Sequence, residues 1–189
     1  MRHWPPTTCT ISRSTRGKKV EQDTTIQDKS VEAMIAEIYQ GEVFGEAFVC
    51  QLLKRYRSPD EQYKLGTLLQ LETETKARIR PIAAGYGIDL VEDIESRTGG
   101  KNAADALPAV EWGELMSLLL EPSKDSSDKY RAMAEKMPSE LAAFAKAMDE
   151  HEYAIHEFFV KENNGQSAQS VDHFVAMLQN PLPKPSLEN

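Results

Sequence analysis

Cysteine, long apolar runs and positive charge are all scarce in this sequence of 189 residues. The two cysteines, Cys9 and Cys50, are too few for a disulfide scaffold, which indicates a reducing compartment. No run approaches the roughly 18 apolar residues that a transmembrane helix needs. The formal net charge is −8, whereas proteins that bind nucleic acid generally present a basic surface. We therefore expect a cytoplasmic protein with neither a membrane nor a nucleic-acid partner.

The motifs of several common catalytic sites are missing as well. Gly99-Gly100-Lys101 lacks the upstream glycine and the preceding strand of a phosphate-binding loop, and the sequence has no serine nucleophile elbow. His151-Glu152 resembles the start of a zinc-peptidase motif, but Ile155 stands where that motif needs its second histidine. Short motifs therefore do not identify a reaction.

Both ends of the chain differ in composition from its middle. Residues 1–29 contain six Lys or Arg, three acids and few apolar residues, which predicts a mobile tail. Residues 1–20 contain no acid and are rich in Arg, Ser and Thr, so an organelle transit peptide is the alternative. Three prolines in residues 180–189 predict a second tail. Residues 30–179 are then expected to form one domain.

Apolar residues in the middle of the chain recur every three or four positions, without the alternation that a strand requires. This periodicity predicts an all-α fold. Ser30 is a candidate N-cap, and Ser58 begins a capping box that has Pro59 at the first helical position. We predict helix A over 30–56, helix B over 58–87 and either kinked or ended at Pro81, helix C over 108–122, helix D over 139–163, and short helices over 125–137 and 171–178.

Helix length and connection length together indicate the architecture. The longest predicted helices have about 22–26 residues, about twice the average length in globular proteins. The short link at Arg57-Ser58 makes helices A and B an antiparallel hairpin. Residues 88–107 form a long polar crossover that holds at most a short turn of helix. A hairpin, a long crossover and a second hairpin are typical of a ferritin-type four-helix bundle.

Charged residues interrupt the apolar stripes of three predicted helices. Counted from the A–B turn, Glu42 and Glu72 lie at the same level, and Glu46 is a weaker match. In helix D, His151 and Glu152 lie within the stripe. A buried carboxylate without a partner costs several kcal/mol, so each needs a cation, a proton or a donor. Carboxylates and an imidazole that meet in a bundle core are typical ligands of a metal site.

Three alternatives need no metal. Lys76 follows Glu72 by four residues, which is a favourable spacing for an ion pair within one helix. Glu42 and Glu46 can instead border the apolar stripe and face solvent. His151 can simply be hydrogen-bonded within the core. The sequence leaves these alternatives and the metal site open.

Three stretches of the sequence resemble the ferritin-like superfamily, in particular its small rubrerythrin-like members. They are QGEVFGEA at 40–47, LQLETETKARIRP at 69–81 and the segment 151–165, and the resemblance extends over about residues 30–179. It implies a four-helix bundle with a long A–B hairpin, a long B–C crossover and extra short helices. It also implies a dinuclear metal site with one glutamate from each of two helices and Glu-x-x-His from each of the other two.

The chain departs from this implied ligand set at two positions. Thr75 stands where helix B needs a histidine, and Met148 stands where helix D needs a glutamate. A dinuclear site and a degenerate mononuclear site therefore both stay open, and the ammonium of Lys76 is a third way to fill the place of a metal. The ligands carried over from the resemblance are Glu42 or Glu46 in helix A, Glu72 in helix B, Glu114 or Glu111 in helix C, and His151 in helix D, with Glu152 as a substitute.

The resemblance implies two functions between which the sequence does not decide. In the first, iron or manganese activates oxygen or peroxide, and the protein is an oxidoreductase. In the second, the bundle is degenerate, holds no metal and acts as a binding or scaffold protein, so whether the chain is an enzyme stays open. Dimers are common in the superfamily, which leaves a homodimer open. The sequence does not indicate a substrate.

Overall fold

The computed structural model describes residues 29–185. Within them the chain forms six α-helices and no strand, which confirms the all-α prediction. The predicted N-terminal tail apart from Lys29, the alternative transit peptide, and residues 186–189 of the predicted C-terminal tail lie outside the described residues. The helices are α1 (Val31–Leu52), α2 (Pro59–Gly85), α3 (Ile94–Ala106), α4 (Trp112–Ala134), α5 (Ala142–Asn163) and α6 (Asp172–Met177).

The first two helices begin where the sequence predicts. The Ser30 side chain accepts a hydrogen bond from the backbone N–H of Ala33 and so caps α1. At the start of α2, the Ser58 hydroxyl accepts from the N–H of Glu61, while the Glu61 carboxylate accepts from the N–H of Ser58. This reciprocal pair is a complete capping box, and Pro59 occupies the first helical position.

The helices α1 and α2 form an antiparallel hairpin. Residues later in α1 contact residues earlier in α2. This register places the middles of the two helices side by side. The contacts run from Tyr39 with Arg80, through Glu46 with Thr73, to Leu53 with Gln62.

The helix α4 continues through Pro122, so the predicted end of helix C at this residue is wrong. A proline inside a helix removes one backbone hydrogen bond and costs about 3 kcal/mol. Packing against the antiparallel helix α5 offsets this cost, and predicted helix C and the short helix after it are one element. The contacts that join α4 to α5 include Ser117 with Asn163, Ser123 with His156, and Arg131 with Asp149.

The predicted crossover contains a helix of 13 residues, α3, where only a short turn was expected. Asp93 caps it by accepting from the N–H of Ser96. The helix lies alongside α1 and runs in the same direction, from a contact of Asp93 with Gln40 to one of Asp105 with Gln51. The crossover therefore travels the length of α1, and α4 begins at the opposite end of the molecule from the end of α2.

The side chains of α1, α2, α4 and α5 form two apolar clusters with a polar layer between them. One cluster includes Ile35, Val43 and Ile79, and the other includes Leu52, Leu71 and Phe158. The fully buried aliphatic and aromatic residues of each cluster supply the main favourable term in folding. None of the six helices has a stretch of sufficient length and hydropathy to traverse a bilayer.

The predicted C-terminal tail is packed against the domain as far as it is described. The Gln70 side chain of α2 donates to the carbonyl of Asn180, and Lys184 donates to the carbonyl of Ala168. Residues 180–185 contain no helix, in agreement with their prolines. They nevertheless form part of the folded surface.

Candidate metal centre

Three ionisable side chains from three different helices meet in the polar layer. Glu42 comes from α1, Glu72 from α2 and His151 from α5. Glu42 and His151 are each 1% exposed, and Glu72 is 7% exposed. Apolar neighbours one helical turn away on each helix bury these positions, because a residue within an apolar stripe must point into the core.

The three side chains present one ligand atom each to a common point. His151 Nε2 lies 3.3 Å from Glu42 Oε2 and 3.8 Å from Glu72 Oε2, and all three ligand atoms lie within 4.8 Å of one another. Glu42 Oε2 and His151 Nε2 are buried without a hydrogen-bond partner. Buried polar atoms are nearly always satisfied, so this pair of atoms requires an explanation.

The spacing of these atoms fits a single metal ion. Oxygen and nitrogen ligands lie about 2.1 Å from a first-row divalent metal, so neighbouring ligand atoms around one ion lie about 3.0 to 3.4 Å apart. The distance of 3.3 Å from His151 to Glu42 is within this range, and the distance of 3.8 Å from His151 to Glu72 is slightly longer. Two carboxylates and an imidazole suit iron, manganese and zinc.

Burial sets the protonation states of the group. Desolvation raises the pKa of Glu42 well above its usual range, and the charge of Glu72 raises it further. Desolvation also raises the pKa of Glu72 to about 8, and lowers the pKa of His151 to about 3. His151 is thus a neutral imidazole near pH 7, which is the form that ligates a metal. The carboxyls hold protons that a divalent cation can displace.

Thr75 positions the imidazole from the side opposite the carboxylates. Its hydroxyl lies 3.1 Å from His151 Nδ1, and both residues are 1% exposed. A hydroxyl can accept from an Nδ1–H or donate to an unprotonated Nδ1, so it is compatible with either tautomer. When Nδ1 donates to Thr75, Nε2 is free to bind a cation, as in histidine ligands held by an outer partner.

Lys76 does not neutralise Glu72, so this alternative from the sequence is wrong. The ammonium of Lys76 instead binds Glu46 and lies 2.6 Å from Glu92. Among residues 29–185, no lysine or arginine forms an ion pair with Glu42 or Glu72. Glu46 is consequently a partner of Lys76 and is not a member of the metal-binding group.

The remaining predicted ligands lie outside the group of three. Glu114 on α4 and Glu111 just before it are both exposed, so the expectation that one of them faces the core is wrong. The buried polar residues of α4 are instead Ser123 and Ser127. Glu152 is buried on α5; desolvation raises its pKa to about 7, while a hydrogen bond with Ser126 lowers it.

Three residues beside the group were not predicted as site residues. Thr75 was recognised only as a departure from the resemblance, although its position in an apolar stripe is itself a signal of burial. Tyr130 is buried on α4 with its hydroxyl against Gly41, and burial raises its pKa well above its usual range. Gly45 lies against the Glu72 carboxylate. The sequence carries no signal for the glycine contacts, because they depend on how two helices meet.

Comparison with models of protein families, with curated proteins and with solved structures found no match to this chain. The function is therefore inferred from the geometry of the polar layer. That geometry amounts to a buried group of Glu42, Glu72 and His151 that can hold a metal ion.

Proposed function

We propose that this chain is a ferritin-like metal-carboxylate protein that binds one iron or manganese ion through Glu42, Glu72 and His151. The observation that carries the proposal is the pair of buried ligand atoms, Glu42 Oε2 and His151 Nε2, that face each other without a hydrogen-bond partner. A bound cation satisfies both atoms and compensates the cost of burying the two carboxylates.

The directions of the long helices support the ferritin-like part of the proposal. The hairpins α1–α2 and α4–α5 are both antiparallel, and a crossover that contains α3 joins them. Lys129 of α4 pairs with Glu37 near the start of α1, while Tyr56 after α1 donates to Val110 just before α4. The helices α1 and α4 are therefore antiparallel. A crossover of this length is the feature that distinguishes ferritin-like bundles from simple up-and-down bundles.

A single ion is favoured over the dinuclear centre that the resemblance implies. The helix α4 contributes no buried acid, and Thr75 and Met148 replace two further ligands. Glu152 is buried near the group, but Ser126 and Lys129 interact with it. Three protein ligands leave coordination positions for other molecules.

The function supported best is that of an oxidoreductase that acts on oxygen or peroxide. An iron or manganese ion held by two carboxylates and an imidazole supplies redox chemistry toward such molecules. The chain's own residues prepare the site. Thr75 orients His151, the apolar clusters limit the access of water from above and below, and Glu152 places a buried carboxyl, whose pKa desolvation raises to about 7, close to the group.

The second candidate is a bundle that holds no metal and serves as a binding protein. The observation that favours it is the replacement of two expected ligands by Thr75 and Met148. In this case Glu42 and Glu72 stay protonated, and His151 donates from Nε2 to a carboxyl oxygen. The two candidates differ in what happens when the protein is given a metal.

Metal content in matched variants decides between them. The full chain, Glu72→Gln and Glu114→Gln are expressed with added iron or manganese, purified without chelator, and analysed by elemental mass spectrometry. Gln keeps the size of the side chain but removes the anionic ligand. We expect close to one ion per chain in the wild type and in Glu114→Gln, whose substitution lies on the exposed face of α4. We expect a loss of roughly tenfold or more in Glu72→Gln.

Two results would overturn the proposal. One is a wild-type chain that stays metal-free after loading and whose thermal unfolding is the same with and without chelator. The other is equal metal content in Glu72→Gln and Glu114→Gln, which would place the ion elsewhere. Circular dichroism of each variant verifies that a loss of metal is not a loss of fold.

A further inference from the structure

A cavity of about 650 Å³ lies beside the candidate metal centre. It separates α1 and α3 on one side from α4 and α5 on the other, and the inner end reaches α2 at Leu68 and Glu72. Sites for small organic molecules in proteins typically have volumes of about 300–1,000 Å³. The cavity is therefore large enough for a molecule much bigger than oxygen or peroxide.

The walls of the cavity are mainly apolar and aromatic. Each of the helices that surround it contributes such side chains, and the rings of Phe44 and Phe48 are stacked with their centroids 6.2 Å apart. Contact with such walls favours ligands that are themselves apolar, because burying apolar surface is the main driving force of association. The principal apolar residues of the lining are Phe44, Phe48, Leu68, Leu119, Ile155 and Phe159.

Three buried polar groups of the lining belong to the metal centre or lie beside it. Glu72, Glu152 and Tyr130 are part of its lining, and all three are buried. Glu72 is at the same time a member of the metal-binding group. A molecule in the cavity consequently reaches the residue that would hold the ion.

Within residues 29–185, the lining offers no unpaired positive charge that could recognise an anionic ligand. Lys129 is the lysine that the described part of the chain contributes to the lining, and its ammonium lies 2.9 Å from Glu37, which is also part of the lining. The other ionisable groups of the lining are Glu72, Glu152 and Tyr130, of which none can attract an anion. An anionic ligand would meet acids, and the aliphatic part of the lining replaces none of the hydration that a charged ligand gives up. The residues of the lining thus favour a neutral ligand.

We propose that this cavity binds a neutral, mainly apolar organic molecule and holds it against Glu72, next to the metal-binding group. This inference deepens the proposed function and rests on it for one part: with a metal at Glu42, Glu72 and His151, the bound molecule is the organic substrate. The binding itself requires only the cavity. A polar hydrogen-bonding group on the ligand would face Glu152 and the hydroxyl of Tyr130.

Fluorescence of 1-aminoanthracene, a neutral apolar probe, tests the binding in the full-length chain. Ala103 of α3 lines the cavity, and Ala103→Phe fills part of it without changing a ligand of the metal-binding group. Ala106→Phe adds the same bulk at an exposed position of the same helix. We expect saturable binding of the probe by the wild type and by Ala106→Phe, and binding weakened by about tenfold or more in Ala103→Phe. Ile155→Trp, which fills the cavity from α5, is a second variant in case Ala103→Phe does not fold.

Cobalt-loaded protein tests the position of the bound molecule. The visible spectrum of a Co²⁺ ion depends on its ligands and on their arrangement, so a saturating amount of probe next to Glu72 should change that spectrum in the wild type. An amount of probe that just saturates the wild type should change the spectrum of Ala103→Phe much less, because this variant binds the probe more weakly.

The outcomes separate this inference from the proposed function. Absence of probe binding in the wild type, or equal affinity in Ala103→Phe and Ala106→Phe, overturns the cavity as a binding site even when the metal is present. A wild type that binds the probe but holds no metal overturns the proposed function and supports the binding site. Probe binding with an unchanged cobalt spectrum overturns the placement of the ligand beside the ion.

Discussion

Gly45 makes room for the Glu72 carboxylate inside the molecule. A Cβ atom at this position would lie within 2.6 Å of the carboxylate carbon and of both its oxygens. Glycine within a helix costs up to about 1 kcal/mol relative to alanine, so its presence near the middle of α1 opposes the local preference of the chain. The end of a glutamate side chain can move, so the substitution should displace the carboxylate and leave the backbone in place.

Gly45→Ala should therefore weaken metal binding without loss of stability. We expect a reduction in metal affinity of roughly tenfold or more, because the displaced Glu72 no longer lies close to Glu42 and His151. The free energy of unfolding of the metal-free protein should stay the same or rise by up to about 1 kcal/mol. Isothermal titration with Mn²⁺ and urea unfolding measure the two quantities.

Gly113→Ala is the matched control, since a Cβ atom at Gly113 contacts nothing within 4 Å. This variant should bind metal like the wild type. Equal metal affinity in Gly45→Ala and in the wild type would contradict the role assigned to the Glu72 carboxylate position.

At the residue scale, the sequence predicts which positions are buried better than it predicts what they contact. Glu42, Glu72 and His151 stand out because charge within an apolar stripe is costly, and all three are buried together in the structure. The ion-pair partners of Lys76 cannot be predicted in this way. A lysine side chain is long enough to leave its own stripe, and Lys76 reaches Glu46 on one neighbouring helix and Glu92 on the following loop.

The helix α3 depends on a second close glycine contact. A Cβ atom at Gly100 would overlap the carbonyl oxygen of Phe44 and lie 3.1 Å from the backbone nitrogen of Phe48. Both neighbours are backbone atoms of α1, which cannot move aside as a side chain can. The two helices can therefore approach this closely only where α3 has no side chain.

Gly100→Ala should push α3 away from α1 and destabilise the protein by about 1–3 kcal/mol, as overpacking does elsewhere. Urea unfolding measures this change. Gly99→Ala is the control one residue earlier, because a Cβ atom there meets only the Phe44 ring at 3.5 Å, an ordinary contact. The helix preference for alanine should make Gly99→Ala neutral or slightly stabilising. A Gly100→Ala variant as stable as Gly99→Ala would show that α3 is not held at this contact.

The same contact explains why the sequence pattern does not predict the helix α3. The only buried residues of α3 are Gly100 and Ala104, so its inner face shows no apolar periodicity. The continuation of α4 through Pro122 was missed for a related reason: the local cost of proline is visible in the sequence, while the packing on α5 that outweighs it is not. Helices with large apolar stripes and clear caps, such as α1 and α2, were predictable.

At the scale of the whole domain, residues 29–185 form two apolar clusters with a polar layer between them that is costly without a cation. Between the clusters, buried acids and a histidine replace aliphatic side chains on α1, α2 and α5. Such a layer lowers the stability of the metal-free chain whenever its acids are forced to ionise in the interior. The stability of the metal-free protein should therefore depend on pH in a way that identifies the layer.

The direction of this dependence follows from the pKa values. The pKa of Glu72 is raised from 4.5 to about 8 and that of Glu152 to about 7, so the folded state keeps protons that the unfolded state has lost. Stability from these groups is complete below pH 4.5 and is lost as the pH rises through their folded pKa values. The pKa of His151 is lowered from 6.5 to about 3, which acts in the opposite direction, but only below pH 6.5. Between pH 6.5 and 8, the buried acids are the groups of this layer that still make the stability depend on pH.

Chelator-treated protein should accordingly lose stability from pH 6.5 to pH 8. One group that titrates over this window contributes up to about 2 kcal/mol, since one pKa unit corresponds to about 1.4 kcal/mol. Urea unfolding at fixed pH values measures the slope of stability against pH.

Glu72→Gln should reduce this slope, because the amide has no proton to lose. Glu114→Gln, changed at an exposed position, should keep the slope of the wild type. Stability that is constant over this range in the wild type, or a slope that Glu72→Gln leaves unchanged, would mean that the buried acids do not titrate as the burial of this layer requires. Saturating Mn²⁺ should restore the lost stability at pH 8, because the ion binds the deprotonated carboxylates of the folded chain and thereby favours folding.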